Sequence, residues 1–322
     1  MTIHAPTPTT DGRPPARHLL SAADLSADAL LALLDDADRR KATRHDADVD
    51  RPLAGRSVVL VFEKPSLRTR ASFEIGVAEL GGTALPMWDT EIALGRRETI
   101  TDTGRVLERY VDAIVIRTFG HDGLVELADA VEVPVVNALS DHEHPCQALA
   151  DLQTFREVHG GFAGRAISYV GDGNNVAHSL LLAGATVGLS VHIAHPDGYA
   201  PDADVVAHAQ RLAATSGASV LVTTDPHAAV ADTHAVYTDV WASMGQEDEA
   251  VTRREVFAPY QVDAALMAAA ADDAVFLHCL PAHRGEEVAA DVMDGPTSRV
   301  FDQAENRLHA QKALLAHLMG PA

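Results

Sequence analysis

Positive charge is scarce in this sequence. The 322 residues include 25 Lys and Arg against 46 Asp and Glu, so the formal net charge at pH 7 is −21. A chain this acidic repels phosphate backbones and anionic lipids, which argues against nucleic acid and membrane surfaces as partners. The shortage also draws attention to any stretch where basic side chains gather.

Cysteine and long apolar runs are also scarce. The two cysteines, Cys146 and Cys279, are too few for a disulfide scaffold, which predicts a reducing, cytoplasmic location. No apolar run approaches the ~18 residues that a membrane span needs. Residues 1–17 are rich in Pro and Thr and lack the apolar core of a signal peptide, so we predict a disordered lead-in.

Aromatic residues make up 5% of the chain, whereas Ala, Val and Leu are abundant. From residue 57 onward, apolar runs of strand length alternate with helical patterns. This alternation predicts an α/β fold with parallel sheets covered by helices, and it excludes a β-sandwich. The predicted strands are 57–62, 112–117, 134–137, 166–171, 191–194, 219–223, 235–239 and 274–278, and the predicted helices include 101–110, 123–130, 146–158 and 203–216.

The chain is longer than a usual single domain. The alternation breaks near residue 150, where a long helix runs to Gly160-Gly161 and a fresh strand follows. We therefore predict two doubly wound parallel-sheet domains linked by helices, residues 18–150 and 151–298. The last helix, within 299–322, is expected to pack back on the first domain.

Basic side chains gather in residues 62–70, Phe-Glu-Lys-Pro-Ser-Leu-Arg-Thr-Arg. A continuous apolar run precedes this stretch, and a helical stripe that Gly81-Gly82 stops follows it. Pro65 ends the sheet pairing and Ser66 can cap the helix. Helix N–H groups, the positive helix end, hydroxyls and guanidinium groups would then converge on an anion, with phosphate as the natural ligand. The alternative is an ordinary helix start with solvated arginines.

Polar side chains follow several other predicted strands. In doubly wound sheets, ligands bind beyond the carboxyl ends of the strands, so these groups predict a cleft. They lie in Arg117-Thr118, in 140–147, in 172–175, in 239–245 and in 278–281.

Each of these stretches has a second interpretation. The run Asp141-His142-Glu143-His144 resembles a metal cluster, but neighbouring residues rarely share one face, so we prefer His144 as a neutral hydrogen-bond donor and predict no metal. The run 171–176 resembles a dinucleotide fingerprint, yet Val176 stands in place of the third glycine.

Cys279 could be a buried small hydrophobe, and its sequence context does not reveal the base that a thiol nucleophile needs. Trp241 and Met244 could belong to the core. Three acids and a glutamine in 246–249 instead indicate an exposed, mobile loop.

The motifs together resemble the aspartate and ornithine carbamoyltransferase family. Residues 64–70 resemble its Ser-x-Arg-Thr-Arg carbamoyl-phosphate loop, and 144–147 match its His-Pro-x-Gln motif. The runs 239–245 and 278–281 resemble the Asp-x-x-x-Ser-Met-Gly and His-Cys-Leu-Pro motifs of the ornithine branch. The likeness extends from about Leu19 to the last helix.

The resemblance implies transfer of a carbamoyl group from carbamoyl phosphate to the δ-amine of L-ornithine, giving citrulline for arginine biosynthesis. It implies no cofactor, and it implies a homotrimer or a multiple of trimers. It implies catalytic roles for Arg117, His144, Asp239 and Cys279. It implies carbamoyl-phosphate contacts from Ser66, Leu67, Arg68, Thr69, Arg117, His144, Gln147, Cys279, Leu280 and Arg307. It implies ornithine contacts from Asn175, Asp239, Ser243 and Met244.

Two positions depart from the family pattern. Leu67 stands where many ornithine enzymes have Thr, and Ala93 stands where relatives often have a polar residue near a neighbouring subunit's carbamoyl phosphate. These departures leave the acceptor amine open, with N-acetylornithine or putrescine as alternatives. A nucleotide-binding oxidoreductase and a non-catalytic paralogue are the other classes to be tested.

Overall fold

A computed structural model describes residues 17–242 and 247–320. The chain divides into two compact units, Met1–Gln153 with Asn306–Ala322, and Thr154–Glu305. Each unit contains one parallel sheet flanked by helices, which confirms the predicted α/β class. The lead-in predicted for 1–17 falls, except for its last residue, outside the described residues.

The first unit is built on a four-stranded sheet of order β2-β1-β3-β4. Its strands are β1 (Ser57–Phe62), β2 (Thr83–Trp88), β3 (Ala113–Arg117) and β4 (Val135–Leu139). Its helices are α1 (Ala27–Ala42), α2 (Leu67–Glu79), α3 (Asp89–Ile92), α4 (Ile100–Leu107), α5 (His121–Ala130) and α6 (Pro145–His159), the last of which continues into the second unit.

Apolar strands form the centre of this unit. In β1 five of the six residues are buried and in β3 all five are, as expected for strands covered on both faces. Val59, Ile114 and Ile116 pack with Leu124 and Leu127 of α5 in one buried cluster. Leu19 forms an isolated parallel β-bridge with Val136, so the start of the described chain extends the sheet past β4.

The prediction missed β2. This strand lies at the sheet edge, its residues are exposed or half-buried, and it contains Pro86. Proline interrupts a central strand but is tolerated at an edge, so the sequence carried no clear strand signal here. The other eight strands are found within two residues of their predicted bounds.

The second unit contains a five-stranded parallel sheet of order β7-β6-β5-β8-β9. Its strands are β5 (Ala166–Val170), β6 (Ser190–Ala194), β7 (Val220–Thr223), β8 (Ala235–Thr238) and β9 (Val275–His278). Its helices are α7 (Asn175–Val187), α8 (Ala203–Ser216), α9 (Pro226–Val230), α10 (Ala250–Phe257), α11 (Ala264–Met267), α12 (Ala290–Met293) and α13 (Val300–Met319), with short 3₁₀ turns at Glu247–Glu249 and Ala258–Tyr260.

Helix α13 begins in the second unit, and its residues from Asn306 onward belong to the first. Residues 306–315 of α13 are all buried. Among the described residues, no helix has the length and apolarity required to cross a bilayer.

Candidate active site

The turn after β1 leads directly into α2. Ser66 has an extended backbone, and its hydroxyl accepts a hydrogen bond from Thr69 N at 3.3 Å, which caps the helix. The first turn of α2 contains no acidic side chain. The positive end of the helix dipole is therefore not compensated from within its own first turn. The Leu67 side chain is 80% exposed, so at this position the backbone is the part suited to an anion.

Arg307 on α13 fixes the hydroxyl and amide groups around this turn. Its Nη2 donates to Thr69 Oγ1 at 3.3 Å and its Nη1 donates to Gln147 Oε1 at 2.7 Å. Gln147 Nε2 in turn donates to Asp151 Oδ1 at 2.8 Å. Thr69, Gln147 and Arg307 are all buried. These three residues, which are distant in sequence, therefore form one preorganised hydrogen-bonded group.

His144 lies just before α6 and is buried among positive charges. Burial lowers the pKa of His144 well below its usual value, and Arg307, Arg117 and Arg68 lower it further. The imidazole is therefore neutral at physiological pH. Arg117 ends β3 and is also buried. A neutral imidazole beside three guanidinium groups can donate a hydrogen bond without repelling them.

Lys64 adds a further basic group that the sequence-derived site omitted. Its Nζ lies 4.0 Å from the centroid of the Phe119 ring, in a cation–π contact. Burial lowers the pKa of Lys64, and the charge of Arg117 lowers it further. The carboxylate of neighbouring Glu63 accepts two hydrogen bonds at its Oε2, from Thr118 Oγ1 at 2.5 Å and from Phe119 N at 3.1 Å. Within an acidic chain, this end of the sheet is thus a local concentration of positive charge.

In the second unit, the ends of β5, β8 and β9 bring three polar side chains together. Cys279 Sγ donates to Asp239 Oδ1 at 2.9 Å, and Asn174 Nδ2 donates to Asp239 Oδ2 at 3.1 Å. The hydroxyl of buried Tyr169 donates to Asn174 Oδ1 at 3.2 Å. Burial, and then the Asp239 charge, raise the pKa of Tyr169 well above its usual value, so the phenol stays protonated.

Arg253 on α10 connects this group of strand ends to neighbouring loops. The buried guanidinium donates to Asp172 Oδ2 at 2.7 Å and to the Trp241 carbonyl at 2.9 Å, while its Nε donates to Glu249 at 2.9 Å. It also lies over the Tyr199 ring at 4.9 Å. Burial raises the pKa of Asp172 in spite of the opposing effect of Arg253.

The turn after β9 has an unusual backbone. Leu280 has a φ of 61°, and the Leu280–Pro281 peptide is cis. The left-handed region costs a non-glycine residue about 1–2 kcal/mol, so surrounding contacts must hold Leu280 there. Cys279 is half-buried in this turn, and Asp239 is buried beside it.

The residues predicted for the site fall in both units. The first unit contains Ser66, Leu67, Arg68, Thr69, Arg117, His144, Gln147 and Arg307, and the second contains Asn175, Asp239, Cys279 and Leu280. Ser243 and Met244 lie outside the described residues.

Asn174, which was not among the predicted site residues, caps α7 and contacts Asp239, next to the predicted Asn175. An asparagine before an apolar helical run is a cap signal that could have identified Asn174. Arg253 had no comparable signal, because its partner Asp172 is 81 residues away.

The alternative sites can be compared with this geometry. Asp141 accepts from His121 N, and Glu143 accepts from Ala22 N, whereas His144 lies among arginines, so this run does not converge on one point. Ligand atoms of Asp239, His278 and Cys279 do lie within 4.8 Å of one another. However, His278 Nδ1 accepts from Leu280 N and its Nε2 faces Glu287, so both ring nitrogens are engaged elsewhere.

The glycines of the dinucleotide-like run have a different role here. A Cβ on Gly173 would lie 2.1 Å from Pro201 N, so this glycine allows close approach of the chain's own backbone. In a dinucleotide site the corresponding glycine makes room for the pyrophosphate. The space at Gly173 is therefore filled by residues 200–201, which disfavours a nucleotide there.

Comparison with known proteins gives consistent matches over nearly the whole chain. Residues 17–157 match the aspartate/ornithine carbamoyltransferase carbamoyl-P binding domain, and residues 163–318 match the Asp/Orn binding domain of the same family. The chain is 59% identical over 305 residues to an ornithine carbamoyltransferase of Parafrankia sp., covering 94% of this chain and 96% of that protein.

Solved structures agree with these matches. Ornithine carbamoyltransferase from Pyrococcus furiosus has a TM-score of 0.92 at 51% identity, covering 95% of this chain and 98% of that one. Anabolic ornithine carbamoyltransferase from Campylobacter jejuni has a TM-score of 0.87 at 36% identity, covering 94% and 98%.

Proposed function

Because the chain belongs to the aspartate/ornithine carbamoyltransferase family, we propose that it is an ornithine carbamoyltransferase. The reaction moves the carbamoyl group of carbamoyl phosphate to the δ-amine of L-ornithine and yields L-citrulline and phosphate. An anabolic role in arginine biosynthesis is supported by the relative from Pyrococcus furiosus, which is named anabolic and is 51% identical.

The observation that carries this proposal is the cluster of Arg68, Arg117 and Arg307 around the buried His144, with Arg117 and Arg307 themselves buried and Arg68 half-buried. Attack on the carbonyl carbon places negative charge on the carbonyl oxygen, and cleavage of the carbon–oxygen bond places further charge on the leaving phosphate. Fixed cations and hydrogen-bond donors stabilise both charges without reorganising.

We assign the phosphate to the α2 N-terminus with Ser66, Arg68 and Thr69. Arg117 and His144 then polarise the carbonyl, and Gln147 and Arg307 orient the carbamoyl group. The bond from Arg307 to Gln147 supports this assignment, because together with the bond from Gln147 to Asp151 it fixes the orientation of the amide. The Leu67 side chain takes no part, and only its backbone N–H is available to the anion.

We assign the ornithine end to the polar group at Asp239. Asp239 is buried and already accepts hydrogen bonds from Asn174 and Cys279, so its carboxylate is held in place for an ammonium. The resemblance adds Asn175, Ser243 and Met244 as contacts for the amino acid. The δ-amine has an unperturbed pKa near ~10.4, so it must lose a proton before attack, and Asp239 and Cys279 are the residues proposed to lie near it.

The same carboxylate bears on which amine accepts the carbamoyl group. L-Ornithine carries an α-ammonium that can pair with Asp239, whereas N-acetylornithine lacks that charge and putrescine lacks the α-carboxylate. Asp239 therefore favours L-ornithine over N-acetylornithine, which has no α-ammonium to pair with it, whereas putrescine differs by its missing α-carboxylate and not by its charge towards Asp239.

One assay tests the proposal. The purified chain is given carbamoyl phosphate with L-ornithine, N-acetylornithine or putrescine, and the carbamoylated product and phosphate are measured. Citrulline formation with L-ornithine, lost in Arg117→Ala, is the expected result. If N-acetylornithine or putrescine gave product and L-ornithine gave none, the assignment of L-ornithine as acceptor would be wrong. If no amine gave product, the chain would belong to the non-catalytic class.

We also propose a cytoplasmic homotrimer. Exposed apolar side chains in the first unit, including Leu67 at 80%, Ile75 at 46% and Leu85 at 45%, support burial against other subunits. Sedimentation equilibrium should give the mass of three 34.1 kDa chains, and a monomer at micromolar concentration would contradict the trimer. The two cysteines are thiols, which fits a reducing compartment.

A further inference from the structure

His278 lies at the end of β9, immediately before Cys279, and the proposed mechanism gives it no task. The ring is fully buried and makes two polar contacts. Leu280 N donates to Nδ1 at 2.8 Å, and Nε2 lies 3.2 Å from Glu287 Oε1. A backbone N–H can only donate, so Nδ1 is the acceptor and Nε2 carries the proton that is donated to Glu287. The two contacts together fix the tautomer and the orientation of the ring.

Glu287 is also fully buried, which is unusual for a carboxylate. Its Oε1 accepts from His283 N at 2.5 Å as well as from His278. Within the described residues its Oε2 has no hydrogen-bond partner, and the Nδ1 atom of His283 lies 3.7 Å away. A buried acid with so few donors costs free energy, which calls for a reason beyond packing.

The contact that His278 makes with Leu280 lies at the strained part of the turn. Leu280 is held with a φ of 61°, and the bond from its N–H to His278 Nδ1 closes the turn across Cys279. The other end of the turn is anchored because His278 N donates to the buried side chain of Gln303 at 2.9 Å. Cys279 therefore has a fixed residue on each side, and its Sγ is directed at Asp239 Oδ1.

We propose that Glu287 and His278 form a positioning pair that holds the Cys279–Leu280 turn in the conformation needed for carbamoyl transfer. Glu287 orients the imidazole, the imidazole fixes Leu280 N, and the turn presents Cys279 to Asp239. The role rests on the proposed function, since the turn matters only if Cys279 and Asp239 meet the amine.

Substitutions can separate the two contacts of the ring. Glu287→Gln keeps an oxygen acceptor for His278, whereas Glu287→Leu removes it at similar volume. His278→Asn keeps an acceptor near the Nδ1 position for Leu280 N, whereas His278→Gln places its amide near the Nε2 position instead. The matched control is Glu286→Leu, which removes the neighbouring half-buried carboxylate that pairs with Arg254 at 3.0 Å.

We expect Glu287→Leu and His278→Gln to lower kcat/KM for ornithine by on the order of 10- to 100-fold, the range typical when a partner that orients an active-site group is lost. Glu287→Gln and His278→Asn should retain more activity than these, and Glu286→Leu should match the wild type. Inorganic phosphate should bind all variants equally, because the proposed phosphate residues lie in the first unit. Equal losses in Glu287→Gln and Glu287→Leu would overturn the proposal.

A second readout does not depend on turnover. The rate of Cys279 alkylation by iodoacetamide, mapped by mass spectrometry, should rise severalfold in Glu287→Leu and His278→Gln, because a loosened turn releases Sγ from Asp239. Unchanged rates would show that the pair does not hold the turn. A wild-type chain that formed no citrulline would refute the proposed function, yet these rates would still decide the positioning role. If Glu287→Leu fails to fold, the comparison of the two His278 variants decides.

Discussion

Nη1 of Arg307 donates a hydrogen bond to Oε1 of Gln147 at 2.7 Å, across 160 residues of sequence. The bond ties the C-terminal part of α13 to α6 within the first unit. Because the second guanidinium arm reaches Thr69 beside the α2 N-terminus, one side chain orders the proposed phosphate and carbamoyl contacts together. Arg307 therefore brings the last helix into the proposed substrate site.

The first prediction concerns Arg307→Lys. An ammonium is a single point of charge and cannot keep both bonds, so one charge-assisted hydrogen bond is lost, typically worth about 1.5–3 kcal/mol. We expect KM for carbamoyl phosphate to rise roughly 10- to 100-fold, with KM for ornithine little changed. The control is Lys312→Met. Lys312 is also a buried basic residue of α13, but it pairs with Glu79 of α2 and not with Gln147 or Thr69. A selective rise in KM for ornithine would contradict the assignment.

The second prediction concerns Arg117→Ala. Arg117 is buried at the end of β3, where it is proposed to stabilise the carbonyl oxygen as charge develops. Removing one donor of this kind typically lowers turnover by about 10²–10³. Steady-state kinetics at saturating substrates should show that loss, and the exposed Arg105→Ala should show none. Full turnover in purified Arg117→Ala would remove Arg117 from the mechanism.

The third prediction follows from the lowered pKa of His144, which burial and three arginines cause. In the unfolded chain the imidazole takes up a proton as the pH falls below about 6.5, whereas in the folded chain it does not. The unfolded state then binds more protons, so the free energy of unfolding decreases as the pH falls through this range.

The size of this effect can be measured. His144 alone should contribute a positive slope of the free energy of unfolding against pH, with an upper limit of about 1.4 kcal/mol per pH unit for one proton. Urea unfolding between pH 5 and 7.5 should therefore give a shallower slope for His144→Asn than for the wild type. Half-buried histidines with lowered pKa values, such as His18 and His121, contribute equally to both proteins and cancel in the comparison. Identical slopes would mean that His144 is protonated in the folded state.

The sequence predicted those elements whose local pattern of residues matches their place in the fold. The apolar run of β1 and the capping residue Ser66 adjoin each other, so the strand bounds and the anion turn were both predicted. Strand β2 was missed because its signal is weakened by Pro86 and by an edge position that only the fold defines.

The contacts of the second unit show the same limit. Asn174 was passed over for its neighbour Asn175: a cap signal marks Asn174 as the helix start, but its contact with Asp239, 65 residues away, has no signal in the sequence. Glu287 was not identified, because nothing in its sequence context indicates that it is buried against His278. The motifs therefore indicated the residues proposed to perform the chemistry, whereas the contacts that orient those residues were found only in the structure.

The fourth prediction separates the two tasks of Asn174. Its Oδ1 caps α7 by accepting from Val176 N and Ala177 N, while its Nδ2 donates to Asp239. Asn174→Ser keeps the cap and loses the Asp239 contact, so we expect near wild-type stability with a raised KM for ornithine. Asn174→Ala loses both and should cost about 1 kcal/mol in addition, measured by urea unfolding. A KM for ornithine that Asn174→Ser leaves unchanged would separate Asn174 from the substrate site.

The last prediction compares the two thiols. Burial raises the pKa of Cys146 to about 12, so almost none of it is thiolate at pH 8 and alkylation should be negligible. Cys279 is half-buried beside Asp239 and open to a small reagent. Iodoacetamide should therefore inactivate the protein in step with modification of Cys279, as followed by peptide mass spectrometry. Iodoacetamide should inactivate Cys146→Ala at the wild-type rate. The activity of Cys279→Ala, whatever its level before treatment, should not fall when the reagent is added. Inactivation that tracked the Cys146 peptide would show that the β4–α6 region opens, because a thiol sealed in the core cannot react without such an opening.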